Sequence, residues 1–581
     1  MDKVKVTING RDYEVPAGMT VLDAARAANI DIPTLCYLRD INEIGACRIC
    51  LVEVSEGGKP SRMVTSCVYP VSDGMVIKTD SPKIQKARKL NLELLLSNHN
   101  MDCLSCIRST NCELQKLCRD YQVNSFYFTG ERTKTTKDES SPSIVRDNSK
   151  CILCRRCVAA CHEVQAVGVI GANNRGFDTE IGCAFESELA ETACINCGQC
   201  TVVCPTGALH ERDDTQKVFD AIADPTKHVY IFTAPSVRAT IGECFGYEPG
   251  TEVEGKMVAA LKRLGFDGVF NMNLTADLTI IEEANELIER VKNGGVLPMI
   301  TSCSPGWIKF CEHYYPEFTE NLSTCKSPQQ MFGAILKTYF AQKNGLDPKD
   351  IFVVSAIPCT AKKFEVGRDG QAASGYPDVD VAVTTRELGR MIERAGIDFR
   401  SLPDEQFDQP FGTATGAGEI FGATGGVMEA ALRTAAESIL GRPLEKLDFP
   451  DVRGTAGIKR ATYKLGDLEV KVAVVSGTAN AKKLLDRVKS GEEDVTFIEV
   501  MACPGGCVNG GGQPYQPPVV RNNVDLRAKR AEVLYTVDAN NKLRRSHENP
   551  VCKMLYDEFF GEPGSEKAHE ILHTHYVKRG L

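Results

Sequence analysis

Residues 151–161 read CILCRRCVAAC and residues 194–205 read CINCGQCTVVCP. Both follow the spacing C-x2-C-x2-C-x3-C, and the second ends in proline. In this spacing the first three thiols of a run hold one iron–sulfur cluster and the fourth serves the other. Cys151, Cys154, Cys157 and Cys204 are therefore expected to hold one [4Fe-4S] cluster, and Cys194, Cys197, Cys200 and Cys161 a second. Neither chance nor zinc accounts for two such runs side by side. Cys183, between them, is left over.

The pattern extends towards the N-terminus. Of 25 cysteines, 17 lie between Cys36 and Cys204. The chain starts with an Asn-Gly hairpin signal and TVLDAARAAN, a helix-favouring stretch. Then follow Cys36, Cys47, Cys50 and Cys67 as C-x10-C-x2-C-x16-C, with a glycine before the C-x2-C pair and a strand after it. Related spacing holds plant-type [2Fe-2S] clusters; a four-cysteine zinc site is the competing reading. After the helical SPKIQKARKLNLELLLSNHN come His99, Cys103, Cys106 and Cys112 as H-x3-C-x2-C-x5-C. One imidazole and three thiols suit zinc as well as iron and sulfide. The position between two other cluster modules decides for a [4Fe-4S] centre. Its neutral histidine ligand should raise its potential. Cys118 reads as a packed thiol, and the polar stretch 131–149 as a surface linker. So many thiols need a reducing compartment, which points to the cytoplasm. A net charge of −9 argues against nucleic acid, and the apolar runs are too short for a membrane span.

Four clusters make an electron conduit, and the rest of the chain should make or consume electrons. KHVYIFTAP, GVLPMITSC, IFVVSAIPC and TFIEVMAC are short apolar runs ending in polar or cysteine-bearing turns, with helical patterns such as TIIEEANELIERVKN between them. Alternation of this kind builds α/β sheets with chemistry at the strand ends. The glycine-rich stretch 412–426 lacks the GxGxxG and acidic residue of a dinucleotide fold.

Three strand-end stretches, TSCSPGW (301–307), IPCTAKKFE (357–365) and EVMACPGGCVNGGGQP (499–514), resemble the signature segments of [FeFe]-hydrogenases. The resemblance covers essentially the whole chain and implies an α/β multidomain architecture. It divides into a β-grasp [2Fe-2S] domain (1–80), a small His/Cys cluster domain with linker (81–145), a two-cluster ferredoxin domain (146–213) and a large catalytic domain (214–581). It implies an H-cluster, a [4Fe-4S] cubane joined through one cysteine to a two-iron unit with CO, CN⁻ and a dithiolate bridge. By the match Cys507 bridges, Cys503 and Cys359 hold the cubane, and Lys362 hydrogen-bonds a cyanide. Ala234, Pro235, Ser236, Gln329, Phe421 and Met501 match positions lining the two-iron pocket. The glycines of 505–512 would let the backbone approach the cofactor. By the match Glu283, Ser323 and Glu286 lie on a proton path; read alone, Glu283, Glu286 and Arg290 are a solvated helix face. The competing function is an electron-transfer subunit like the large subunit of respiratory complex I, without H2 chemistry of its own.

The chain departs from the family at Cys303–Ser304, where two adjacent cysteines are usual, the first relaying protons and the second ligating the cubane. Either Cys303 moves onto the cubane and Ser304 becomes a weaker relay, or Cys303 relays and Ser304, water or another group such as Cys325 meets the fourth iron. The preference of cubanes for thiolate favours the first. The module order resembles the catalytic subunit of NAD(P)-linked, often electron-bifurcating, multimeric hydrogenases of anaerobes. It implies H2 and protons as substrates and ferredoxin as an electron partner. It further implies a hetero-oligomer with a flavin- and NAD(P)-binding subunit and a small [2Fe-2S] subunit.

Overall fold

The computed structural model describes residues 2–580 apart from 124–127, 129 and 467. The N-terminal hairpin forms as its turn residues dictate. Strands β1 (Lys3–Ile8) and β2 (Arg11–Pro16) are joined by Asn9 and Gly10, both at positive φ (48° and 80°). That backbone matches the right-handed twist of a two-residue hairpin. With β3 (Leu51–Ser55), β4 (Arg62–Thr65) and β5 (Met75–Lys78) they make one sheet in the order β2-β1-β5-β3-β4. The helix Val21–Ala27, N-capped by Thr20, buries Val21, Leu22, Ala24 and Ala25 against it. The helix Pro82–Asn98 follows, with Ser81 accepting the Ile84 N–H as its cap.

The stretch 131–149 departs from the linker expectation. It carries β6 (Lys137–Asp138) and β7 (Ile144–Asp147). The chain goes on through β8 (Gly171–Asn173) and β9 (Glu180–Gly182), a separate pair, to β10 (Leu209–Glu211), which pairs with β7. The polar composition misleads because a short sheet beside cluster loops needs few apolar residues. Ile144 alone of that stretch enters the local core.

Two further sheets follow. β11 (His228–Thr233), β12 (Gly268–Asn271), β14 (Ile351–Ala356) and β15 (Val381–Val383) are all parallel, in the order β12-β11-β14-β15. β13 (Met299–Ile300), β16 (Ile458–Leu465), β17 (Leu468–Ser476) and β18 (Phe497–Met501) form the second, in the order β13-β18-β17-β16. β17 shows why this sheet is buried on both faces. Val470, Val472 and Val474 face one core, and Ala473 and Val475 face another built on Trp307. The helix Asn273–Asn293 joins the two sheets: Leu274 and Leu278 enter the core of the first, and Ala276, Ile280 and Leu287 that of the second. Its Asp277 is buried and accepts from Thr415, Ser546 and Asn549, tying the glycine-rich stretch and the C-terminal SHEN segment to one helix.

The cluster modules are bolted to this α/β unit. Glu113 is buried against Arg156 (2.9 Å) and Arg521 (2.8 Å), which come from the ferredoxin-like and C-terminal regions. Burial opposes its charge, but the guanidiniums win and hold the carboxyl down at about 2. Its folded value lies below the unfolded one, so its contribution is present above the ordinary carboxylate range and lost as pH falls towards 2. Glu113→Gln leaves two guanidiniums in the interior and is expected to cost about 3–5 kcal/mol, read by denaturant unfolding. A loss below about 1 kcal/mol, the range of surface pairs, would disprove the lock.

Arg386 makes a second bolt. Its guanidinium donates to Glu211, to Thr201 Oγ1 (3.2 Å) and to the carbonyls of Gly511 (2.7 Å) and Gln513 (2.7 Å). A methyl group at Gly511 would lie 2.4 Å from the Cys197 carbonyl oxygen and 2.7 Å from Gly198 Cα. Gly511→Ala therefore has to push these backbones apart and is expected to cost about 1–3 kcal/mol. Calorimetry should show a lower melting temperature, and an unchanged one would mean the contact is dispensable.

Candidate active site

The chemistry-bearing turns follow parallel strands of both sheets. Ala234, Pro235 and Ser236 follow β11; Cys303 and Ser304 follow β13; Cys359 follows β14; Cys503 and Cys507 follow β18. Their C-terminal ends converge on one cavity. It is lined by these residues together with Gln329, Lys362, Phe421 and Met501. Every position expected around the two-iron pocket borders it.

Lys362 is buried and donates to Glu365 Oε2 at 2.8 Å. The same oxygen accepts from Ser327 Oγ (2.8 Å) and Gln329 Nε2 (3.0 Å). Lys362 and Glu365 stand three apart on the helix Ala361–Val366, so the ammonium is held at the cavity wall from its own helix. Ser236 Oγ and Gln329 Oε1 are buried with no hydrogen-bond partner among the described residues. Unpaired polar atoms and an ammonium beside three thiols suit a ligand that is anionic, metal-bound and able to take hydrogen bonds. The residues fit the H-cluster.

The glycines of 505–512 serve protein packing as much as cofactor approach. A methyl group at Gly506 would meet Thr424 N at 2.7 Å, and one at Gly510 would meet Pro358 O at 2.2 Å. Both residues also border the cavity. The loop thus lies with bare backbone between the cavity and its neighbours. The glycines of 412–426 pack likewise: methyl groups there would strike Asp538, Asn273, Leu534 and Val452.

Cys303 and Ser304 both border the cavity, with different neighbours. Burial pushes the Cys303 thiol well up, and Glu283 is the charged group that weighs most on it. Ser304 Oγ accepts the Ala502 N–H at 3.2 Å, one residue before Cys503. Glu283 is buried on the helix Asn273–Asn293, and no well-formed hydrogen bond from the described residues reaches either carboxylate oxygen, although the Ser323 hydroxyl and the Ser302 N–H lie close enough to favour its charged form. Burial first, and then the Glu286 charge, push its carboxyl up to about 8. Ser323 Oγ donates to Glu286 Oε2 (2.9 Å), and Arg290 donates to Glu286 Oε1 (2.6 Å). Two residues that sequence reasoning missed support this frame. Glu365 could have been found from its spacing to Lys362. Glu499, buried in β18, accepts from the Gly425 and Met428 N–H groups (2.6 and 2.7 Å), and no local pattern marks it.

The structure brings together the cysteines of three of the four expected sets. Cys50 and Cys67 sulfurs lie 3.3 Å apart, and Cys36 and Cys47 are adjacent to each other and to them. His99 Nδ1 is buried without a partner among the described residues, and burial lowers its pKa to about 4, so the ring is neutral. Cys112 lies near Cys106, while Cys118 packs in the core beside them. One small cavity is bounded by Cys151, Cys154, Cys157 and Cys204, and a second by Cys161, Cys194, Cys197 and Cys200. Cys183 is buried in the core between them. Cys197 also borders the active-site cavity, and Gln199 beside it donates to the Asn509 carbonyl at 3.0 Å. Cys325 lies away from the cavity, buried beside Glu286.

A relay of cysteine quartets ending at a buried thiol-lined cavity defines an iron–sulfur oxidoreductase with its own catalytic centre. Residues 227–511 match the family model of the iron-only hydrogenase large subunit, C-terminal domain, and 524–579 that of the iron hydrogenase small subunit. Upstream, 1–82 match a 2Fe-2S iron–sulfur cluster binding domain. Residues 88–125 match the NADH-ubiquinone oxidoreductase-G iron–sulfur binding region, and 141–210 the ferredoxin-like domain of NADH-quinone oxidoreductase subunit 3. The chain is 50% identical to the NADP-reducing hydrogenase subunit HndD of Solidesulfovibrio fructosivorans over the full length of both. It is 44% identical to iron hydrogenase 1 of Clostridium pasteurianum, over 99% of this chain and 100% of that one. A solved structure of a variant of the [FeFe]-hydrogenase HydA1 from Chlamydomonas reinhardtii is 41% identical, with a TM-score of 0.56 over 63% of this chain and 99% of that one. The chain belongs to the [FeFe]-hydrogenases. It is a catalytic subunit with an N-terminal iron–sulfur relay, and the reading without H2 chemistry accounts only for its N-terminal modules. Among the described residues no helix is long and apolar enough to cross a membrane.

Proposed function

We propose that this subunit carries one [2Fe-2S] cluster, three [4Fe-4S] relay clusters and the H-cluster, held by the cysteines and His99 named above. The domains run 1–80, 81–145, 146–213 and 214–581, with β6 and β7 packing on the third. The observation that carries the reading is the cavity itself, where Cys359, Cys503, Cys507 and Lys362 meet Cys197 of the nearest relay quartet. When bound, the two-iron unit supplies heterolytic cleavage of H2. The protein positions and insulates it. Lys362 offers an N–H donor, Ser236 a hydroxyl, and Phe421 and Met501 exclude water. Cys303 passes the proton to Glu283, and Ser323 and Glu286 carry it on past Arg290. Electrons leave through the quartet containing Cys197.

The surroundings of Cys303 support the direct alignment with the family, with the thiol as relay and Ser304 facing the cubane. The resemblance to an NADP-reducing hydrogenase subunit supports NADP as the eventual partner. That partner is reached through a flavin-bearing subunit and a small [2Fe-2S] subunit docked near the N-terminal clusters, with ferredoxin as the second electron partner. We place the assembly in the cytoplasm, where the thiols stay reduced until clusters are inserted. Infrared spectroscopy of the anaerobically purified, matured protein tests the core of this: bands of metal-bound CO and CN⁻ are expected, and their absence from active material would refute it. Purification from the native host as a lone polypeptide with full ferredoxin-linked activity would remove the partner subunits from the reading.

A further inference from the structure

Away from the cavity, Glu286, Cys325 and His573 bring a carboxylate oxygen, a sulfur and a ring nitrogen within 4.8 Å of one another. They come from the long helix, the loop after residue 321 and the C-terminal segment, and the H-cluster reading gives Cys325 and His573 no role. Cys325 Sγ lies 4.0 Å from Glu286 Oε2. His573 is held at both ring nitrogens, with Nε2 3.2 Å from Glu282 Oε2 and Nδ1 2.8 Å from Thr324 Oγ1. Glu282 also accepts from the Tyr556 hydroxyl (2.5 Å) and the Gly564 N–H (2.9 Å), so it is a fixed acceptor. It takes the Nε2 proton, so Nδ1 carries the lone pair, which accepts from the Thr324 hydroxyl until that hydroxyl turns away and a cation takes its place. A histidine whose outer nitrogen is tied to a carboxylate is the usual arrangement of a metal ligand. Thiolate, imidazole and carboxylate together are a zinc donor set.

Two neighbours make binding feasible. Arg290, which pairs with Glu286, also donates to the carbonyls of Val296, Glu320, Asn321 and Leu322, so it keeps partners if Glu286 turns to a cation. The exposed His569 lies against His573 in a tilted pair with ring centroids 4.1 Å apart, so the buried imidazole sits one ring from the surface.

We propose that Glu286, Cys325 and His573 form a site for a thiophilic divalent cation, with Zn²⁺ the matching ion and water completing the tetrahedron. Binding exchanges the Cys325 thiol proton for the metal, and that proton leaves to solvent; nothing is oxidised or reduced. One consequence rests on the proton route proposed above: with Glu286 held by zinc, its outer step closes and turnover falls by about 10²-fold or more.

The test uses cluster-loaded enzyme equilibrated with one equivalent of Zn²⁺, dialysed, and measured by X-ray absorption at the zinc edge, where iron does not interfere. One sulfur at about 2.3 Å and nitrogen or oxygen at about 2.0–2.1 Å are expected. The sulfur shell should vanish in Cys325→Ser, and in Cys325→Ala should the serine variant fail to fold. Zinc lost on dialysis, or a sulfur shell unchanged in these variants, overturns the site. Turnover with an artificial acceptor is followed in parallel. Zinc bound through Cys325 with undiminished turnover leaves the site standing and removes Glu286 from the proton route.

Discussion

Glu283→Gln is expected to cut H2 turnover by on the order of 10²–10⁴-fold, the usual contribution of a positioned acid or base. The amide keeps the shape of the side chain and removes its exchangeable acid. Glu283 sits where only such a group makes sense. It lies on a helix buried between two cores, with no well-formed hydrogen bond among the described residues and its carboxyl pushed up to about 8. A buried structural carboxyl would be tied by donors, as Asp277 is by Thr415, Ser546 and Asn549 on the same helix. Glu283 has only the weaker help of the Ser323 hydroxyl and the Ser302 N–H, and a buried carboxyl so lightly held is suited to carrying a proton. The infrared bands of the cofactor should persist in the variant, which separates lost proton transfer from lost assembly. Wild-type turnover in Glu283→Gln would sink this route.

Cys303→Ala is expected to lower turnover by a similar factor, on the order of 10²–10⁴, while the EPR signal of the cubane stays as it was. The companion change, Ser304→Cys, should alter that signal and lower the cubane potential, because an anionic thiolate replaces a neutral oxygen ligand at the fourth iron. Both expectations come from the different neighbours of the two side chains: Cys303 is buried with Glu283 the charge that weighs most on it, and Ser304 bonds the Ala502 N–H beside Cys503. The alternative has a distinct signature. If Cys303 ligates iron, Cys303→Ala loses the cubane outright, and Ser304→Cys changes turnover with an unaltered spectrum.

The preference of cubanes for thiolate favours Cys303 on the cluster, whereas the relay role proposed for it rests on its burial and the nearby Glu283 charge, which only the fold supplies. That contrast marks the boundary between the two kinds of information. Cluster ligands were legible because a cluster is small. Its thiols must come from a tight loop, so the spacing of Cys151, Cys154 and Cys157 is local geometry written into the chain. The hairpin at Asn9-Gly10, the caps Thr20 and Ser81, and the strands leading into Cys303, Cys359 and Cys503 are local in the same sense. The linker expectation for 131–149 failed because β6 and β7 are strands only through a partner, β10, more than sixty residues on.

The glycines of 499–514 show both sides. Their number was plain, and their proximity to a buried site could be inferred. That Gly511 lies against the Cys197 carbonyl, or Gly510 against that of Pro358, depends on how two units dock. The same holds for Arg386 spanning to Gly511, for Glu499 capping a distant helix, and for His573 meeting Cys325. These contacts join residues tens to hundreds of positions apart, and their energy is realised only when two sheets and three cluster modules close on one another. By itself the sequence determined which thiols could share a cluster and where strands end in reactive turns. Only the tertiary structure decided that Cys303 is buried beside the Glu283 charge and that Ser304 bonds the Ala502 N–H, because burial and the nearest charge belong to the packed whole and not to any stretch of chain.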